Sequence, residues 1–143
     1  KCLEGKLKKN SNILDFGCGY GRFSDFFIKN FECNYFGVEN TEYWLRNLQN
    51  NEKATYLSFD KFKEIKEFDG FFDLLFVFAV FGGFKKDKSL DILKTLEKKI
   101  KPKGKIFIVE AISKKDTEGE WSFRTEKYYR NLFNNFEVST KLF

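Results

Sequence analysis

The segment Asn12-Ile13-Leu14-Asp15-Phe16-Gly17-Cys18-Gly19-Tyr20-Gly21-Arg22 constrains this chain more than any other. It reads as a buried strand that closes on an acid and enters a glycine-rich turn. An amphipathic stretch, Arg22 to Lys29, follows at once. Strand, tight loop and helix in that order make a nucleotide-sized pocket at the carboxyl end of a parallel strand. Glycine suits such a loop because it has no side chain and tolerates positive φ, so the backbone can approach a ligand closely.

The spacing of the glycines separates two readings. A dinucleotide loop follows Gly-x-Gly-x-x-Gly and rests a pyrophosphate on the helix N-terminus. Counted from Gly17, the last glycine of that pattern falls at position 22, where Arg22 stands. The glycines here are Gly17, Gly19 and Gly21, preceded by Asp15. A carboxylate at the strand end repels a diphosphate and attracts an ammonium group.

The downstream chain repeats the theme. Tyr35-Phe36-Gly37-Val38-Glu39 is a second apolar strand ending in an acid. An acid about 20 residues beyond a glycine loop hydrogen-bonds ribose hydroxyls, and one carboxylate can accept from both. A third strand is expected over Ala54 to Phe59, with Asp60 at its end, and a fourth over Phe72 to Ala79. Asp73 lies at the start of the fourth strand, which marks it as structural. Leu90, Leu93, Leu96 and Ile100 space one apolar helix face, and the turn Lys101-Pro102-Lys103-Gly104 then leads into a fifth strand, Lys105 to Glu110. Thr125 is placed to cap a helix whose Tyr128, Tyr129, Leu132 and Phe133 face the core. A sixth strand is expected over Phe136 to Lys141, and the tail of a helix over Lys1 to Lys9.

These motifs, taken in order, resemble the class I S-adenosylmethionine-dependent methyltransferases. The likeness rests on Asp15-x-Gly17-x-Gly19-x-Gly21, on Glu39, on Asn40-Thr41-Glu42-Tyr43-Trp44-Leu45, on Phe72-Asp73-Leu74-Leu75 and on the Pro102-x-Gly104 strand entry. It covers about residues 10 to 112. The resemblance implies an α/β fold: a doubly wound, Rossmann-like, mostly parallel sheet with helices on both faces. The family's seventh, antiparallel strand has no counterpart in this sequence, so one domain over 1–143, trimmed at both ends, is expected. It implies S-adenosylmethionine as cofactor. Asp15, Gly17 and Gly19 would hold its methionine end, and Glu39 and Asn40 its ribose. Trp44, Phe59, Asp60 and Lys61 would frame the adenine, and Phe78 would line the floor near the sulfur.

The acceptor side is read by exclusion. The chain contains no His, so the His base that many relatives carry after the fourth strand is absent, and no catalytic residue is assigned. Pro102 is the only proline. That removes the Asp/Asn-Pro-Pro-aromatic motif of amino-methylating enzymes and the Pro-Cys pair of those acting on cytosine carbon. A small-molecule substrate is left as the expected partner rather than nucleic acid. Glu110 is the best-placed carboxylate, and Trp121, Arg124 and Tyr128 occupy the region where relatives bind acceptors; Arg124 would suit a phosphate or carboxylate.

Composition adds limits. The net charge is +5, yet the lysines are spread along the chain and mixed with acids, which reads as a solvated surface more than a phosphate-backbone footprint. Three scattered cysteines, Cys2, Cys18 and Cys33, make neither a disulfide framework nor a zinc site, and no metal is expected. No segment is long enough to span a membrane, and a reducing cytoplasm is the expected compartment. Two other classes compete: a non-catalytic domain that keeps the fold as a scaffold, and a nicotinamide-dependent dehydrogenase, which Arg22 disfavours.

Overall fold

The computed structural model describes residues 7–137, together with Leu3, Gly5 and Ser139. Five strands form one sheet: β1 (Asn12–Phe16), β2 (Asn34–Glu39), β3 (Ala54–Ser58), β4 (Phe72–Phe78) and β5 (Ile100–Val109). The helices are α1 (Ser24–Phe31), α2 (Glu42–Asn47), α3 (Phe59–Glu64), α4 (Lys86–Lys99) and α5 (Glu126–Leu132). Strand order is β3-β2-β1-β4-β5 and every pairing is parallel. The sheet is thus wholly parallel where a mostly parallel one is expected.

Helices cover both faces, which is why β4 reads as an almost unbroken apolar run (FDLLFVF) rather than an alternating one. Phe27 of α1 packs on one face with Ile13, Tyr35, Leu74 and Phe76. On the other face Phe62 of α3, Ile92, Leu93 and Leu96 of α4, and Leu132 of α5 pack with Leu14, Val38, Leu75 and Val77. Each fully buried Phe contributes about 2–3 kcal/mol by leaving water. The chain order reverses direction between β1 and β4. Ligands of open α/β sheets bind at that switch point, outside the carboxyl ends of the strands.

Several boundaries differ from expectation. β3 stops at Ser58, because the Ser58 hydroxyl accepts the Lys61 N–H at 3.3 Å and starts α3. β4 stops at Phe78, because Ala79 takes a left-handed backbone (φ +54°) and turns the chain aside. β5 begins at Ile100, not Lys105; between Phe72↔Ile100 and Leu74↔Lys105 its Lys101 to Gly104 segment bulges out of register. In α4 the buried face is Ser89, Ile92, Leu93, Leu96 and Lys99, while Leu90 is 48% exposed. The aliphatic stem of Lys99 belongs to the core, and its ammonium reaches Asp69 at 2.6 Å and the Ile65 carbonyl at 2.8 Å. Asp73 is structural as expected: it accepts from the Asn12 N–H and from Lys101. Thr125 caps α5 by accepting the Tyr128 N–H at 3.1 Å.

Phe136, Glu137 and Ser139 are not in a strand, and the rest of the expected sixth strand lies outside the described residues. The described residues within Lys1 to Lys9 are not helical, and the others lie outside that set.

Candidate functional site

At the end of β1 the chain folds back over β2: the N–H groups of Gly17 and Cys18 both donate to the Val38 carbonyl, at 2.8 and 3.1 Å. Gly17, Gly19 and Gly21 all have positive φ. Gly17 admits no side chain, because a Cβ there would lie 2.4 Å from the Val80 side chain. A Cβ on Gly19, by contrast, would meet nothing within 4 Å, so the loop presents an open face.

Glu39 fastens this loop. Its Oε2 accepts the Gly19 N–H at 2.9 Å, and its Oε1 accepts those of Asn40 and Thr41, both at 2.8 Å. Asn40 carries the network to α3, its Oδ1 accepting the Phe59 N–H at 3.0 Å. Asp15 lies buried beneath the loop and accepts the Tyr35 hydroxyl at 2.5 Å. Burial pushes its carboxyl up to about 7; the Tyr35 hydrogen bond and the Arg22 charge pull it down, and Glu39 pushes it up. Cys18 is buried among the same groups, and its thiol is held far above the ordinary range, which makes it a packing residue rather than a nucleophile.

A second loop closes the crevice from β4. Its backbone is held by Glu110, whose Oε1 accepts the N–H groups of Val80 and Phe81, each at 2.7 Å. Burial raises the Glu110 carboxyl and these hydrogen bonds oppose the rise. The bare Cα of Gly82 seats Trp121: a Cβ there would come within 2.5 Å of the indole. The Ser122 N–H donates to the Gly82 carbonyl at 2.7 Å, fixing the two loops together. Between the loops lies a cavity of about 200 Å³, lined by Phe16, Gly17, Val38, Glu39, Asn40 and Phe59 on one side and by Ala79, Val80, Phe84 and Trp121 on the other. The left-handed Ala79 stands in its wall, and strained backbone of this kind gathers at ligand sites.

Of the residues singled out in the sequence, Gly17, Glu39, Asn40, Phe59 and Trp121 line this cavity. Gly19 faces open space beside it, and Asp15 lies behind the loop. Phe78 does not line the cavity; its ring lies under the Arg22 guanidinium at 4.4 Å. Trp44 stands on α2, which buries no residue, against Tyr20 at 5.7 Å and Tyr43 at 4.9 Å. Asp60 falls in the first turn of α3, is 81% exposed and pairs with Lys63 at 2.8 Å. Glu110 is occupied by the β4 loop. Arg124 is fully buried, with its guanidinium committed to Glu118 and the Thr117 carbonyl, both at 2.7 Å. Sequence reasoning missed Tyr35, Val80 and Phe84. The pair Gly82-Gly83 inside an aromatic run was the available sign of a close approach there. Among the described residues no group of His, Cys, Asp and Glu is placed to hold a metal ion. No helix among them is long and apolar enough to cross a membrane.

Known proteins with this arrangement are numerous. Haemonchus contortus phosphoethanolamine N-methyltransferase 2, solved in complex with S-adenosyl-L-methionine, aligns with a TM-score of 0.76 at 18% identity over 92% of this chain and 34% of its own. A Leishmania major SAM-dependent methyltransferase aligns at 0.74, with 19% identity over 92% and 55%. An S-adenosylmethionine-dependent methyltransferase from Mesorhizobium loti aligns at 0.71, with 13% identity over 94% and 76%. At such identities the likeness is one of fold, and this chain spans only a third to three-quarters of those proteins. No curated protein matches the sequence. A family model described as a methyltransferase domain matches residues 2–138. The chain belongs to that methyltransferase domain family.

Proposed function

We propose that this domain holds S-adenosylmethionine across the carboxyl ends of β1, β2 and β4 and directs its methyl group to a small-molecule acceptor. The observation that carries the reading is the glycine loop pinned by Glu39, with an open face over Gly19 and an aromatic cavity beside it. The donors and walls fit such a cofactor. Glu39 has about four acceptor positions, of which three are engaged, so capacity remains for a ribose hydroxyl. Val38 and Phe59 offer apolar walls to a planar base. Gly17 and Gly19 lie under the methionine end, with Asp15 behind them. Asp60 and Trp44 are not among the residues around the cavity, so the adenine contacts in this reading fall to Phe59 and Asn40.

A bound sulfonium supplies an already activated methyl group. The chain's own contribution is to position the acceptor in line and to keep water out, and proximity and orientation provide most of the acceleration. Glu39 is the sole titratable residue lining the cavity, and it serves the loops, so no general base is assigned. The Phe84–Trp121 end, farthest from Glu39 in the strand order, is the acceptor side. Its small aromatic enclosure supports a small molecule over a polymer.

Calorimetric titration of this chain with S-adenosylmethionine and S-adenosylhomocysteine tests the reading. Saturable binding is expected, weakened roughly tenfold or more by Glu39→Ala, as for loss of a hydrogen bond to a charged group. A folded chain that binds neither would end the cofactor assignment. Methyl transfer from labelled cofactor to a panel of small molecules then separates an enzyme from a scaffold.

A further inference from the structure

Strand β2 carries a glycine, Gly37, inside its apolar run, and an interior strand glycine marks a place where another group comes close. The group comes from β3. Asp15, Gly37 and Tyr56 are register partners across β1, β2 and β3, so they stand in one row on one face of the sheet. The Tyr56 ring lies over the bare Gly37: a Cβ there would come 2.6 Å from the ring and 2.8 Å from the Cys18 sulfur. The ring thus crosses β2 and ends under the glycine loop. A Cβ on Gly21 would lie 2.9 Å from the Tyr56 hydroxyl. Ser24 completes the contact. Its hydroxyl donates to the Gly21 carbonyl at 2.7 Å and is the hydrogen-bonding neighbour of the Tyr56 hydroxyl. Burial raises the Tyr56 phenol above its ordinary value and Ser24 opposes the rise, so the group stays a neutral donor. Two other side chains hold the same loop, both from β2. Tyr35 donates to Asp15 at its entry, and Glu39 accepts the Gly19 N–H at its crown.

Resting on the methyltransferase reading above, we propose that Tyr56 is a positioning residue. Through Ser24 it holds the Gly21 end of the loop in the shape that receives the cofactor's methionine end, and it touches no ligand itself. Phenylalanine would fill the space over Gly37 equally well, and this chain uses 20 Phe against 6 Tyr. What tyrosine adds here is the hydroxyl, and the hydroxyl lies at the loop. A loop of positive-φ glycines has many other conformations open to it. A fixed exit removes them before the ligand arrives, and binding is tighter when less has to be ordered.

The test compares a ligand that lies on the loop with one that does not. The whole chain is titrated with S-adenosylmethionine and with adenosine, which lacks the methionine end. Tyr56→Phe, folded by circular dichroism, should weaken S-adenosylmethionine roughly threefold to tenfold, as for one hydrogen bond, and leave adenosine unchanged. Ser24→Ala should weaken S-adenosylmethionine at least as much. The double variant should be no weaker than Ser24→Ala alone, because both changes cut one link. A tyrosine that served only the packing would lower the denaturant midpoint and treat the two ligands alike. Equal weakening of both ligands, of neither, or losses that multiply in the double variant overturn the assignment while the cofactor reading stands. A folded parent that binds neither ligand sinks the cofactor reading and this inference with it.

Discussion

At the β1–β2 half of the sheet's carboxyl edge, Glu39 gathers the N–H groups of Gly19, Asn40 and Thr41; at the β4–β5 half, Glu110 gathers those of Val80 and Phe81. Both are strand-end carboxylates that hold a loop by its backbone. Glu39 lines the cavity and keeps a free lone pair. Glu110 does not line the cavity and gives its Oε1 to the loop backbone. The loops differ accordingly. The first is bare at Gly17 and Gly19, so a ligand can lie on backbone. The second presents Val80 and Phe84, and Trp121 from the segment between β5 and α5 rests on its Gly82. One device thus serves two ends: it fixes a bare glycine loop on one side of the cavity and an aromatic wall on the other.

Asp15 extends the contrast. It is fully buried where Glu110 is half-buried, and it receives one phenol hydroxyl where Glu110 receives two backbone donors. Its carboxyl therefore rises to about 7 from an ordinary 3.8. Between those two values the folded state binds the proton more tightly than the unfolded one. Stability then falls as pH rises from about 4 to 7, and the penalty is fully present above that window. At 1.36 kcal/mol per unit the ceiling is about 4 kcal/mol. Asp15→Asn keeps an acceptor for Tyr35 and removes the charge. It should raise the urea midpoint at pH 8, and the gain should vanish near pH 4. An unchanged pH slope in the variant would show that another group titrates.

A smaller effect separates the two glutamates. Glu110→Ala leaves two part-buried N–H groups without their acceptor and should cost about 2 kcal/mol; Glu110→Gln, whose amide oxygen still accepts, should cost less than half of that. Glu39→Ala releases donors that solvent can reach, and should cost about 1 kcal/mol. Denaturant midpoints at one pH decide. If Glu39→Ala proves the more destabilising, the glycine loop and the aromatic wall have been assigned the wrong way round.

What the sequence discloses of this edge depends on separation along the chain. The β1 loop and Glu39 are legible because strand, acid and glycines fall within one short window, with the second acid at a fixed spacing. The wall is not, because Glu110 acts on residues 29 and 30 positions away and Trp121 meets Gly82 across two loops. Nothing local announces either contact. Arg124 reads as a hand for an anionic acceptor, yet Glu118 six residues earlier folds back onto it, and the pair bolts the loop between β5 and α5. Tyr35 reads as one more apolar strand residue, and only the β1–β2 register brings its hydroxyl to Asp15. At β3 the local sign is Ser58 alone, a residue type that favours a helix N-cap, and the cap it makes puts Asp60 in a helix instead of at a strand end.

That displacement gives the sharpest small-effect test. Asp60 lies in the first turn of α3, 81% exposed and paired with Lys63 at an exposed i,i+3 position, and among the described residues no acid other than Glu39 lines the cavity. Asp60→Ala should then change the affinity for S-adenosylmethionine by no more than about twofold and leave the denaturant midpoint essentially where it is, because an exposed pair contributes little. Glu39→Ala in the same titration supplies the contrast. A loss of tenfold or more from Asp60→Ala would mean that α3 turns its first residues toward the crevice when the cofactor arrives. The Asn40–Phe59 hydrogen bond is the link that such a turn must break, because it ties the start of α3 to the end of β2. Asn40→Ala should then reproduce the loss if the bond guides the turn, and should relieve it if the bond restrains the helix.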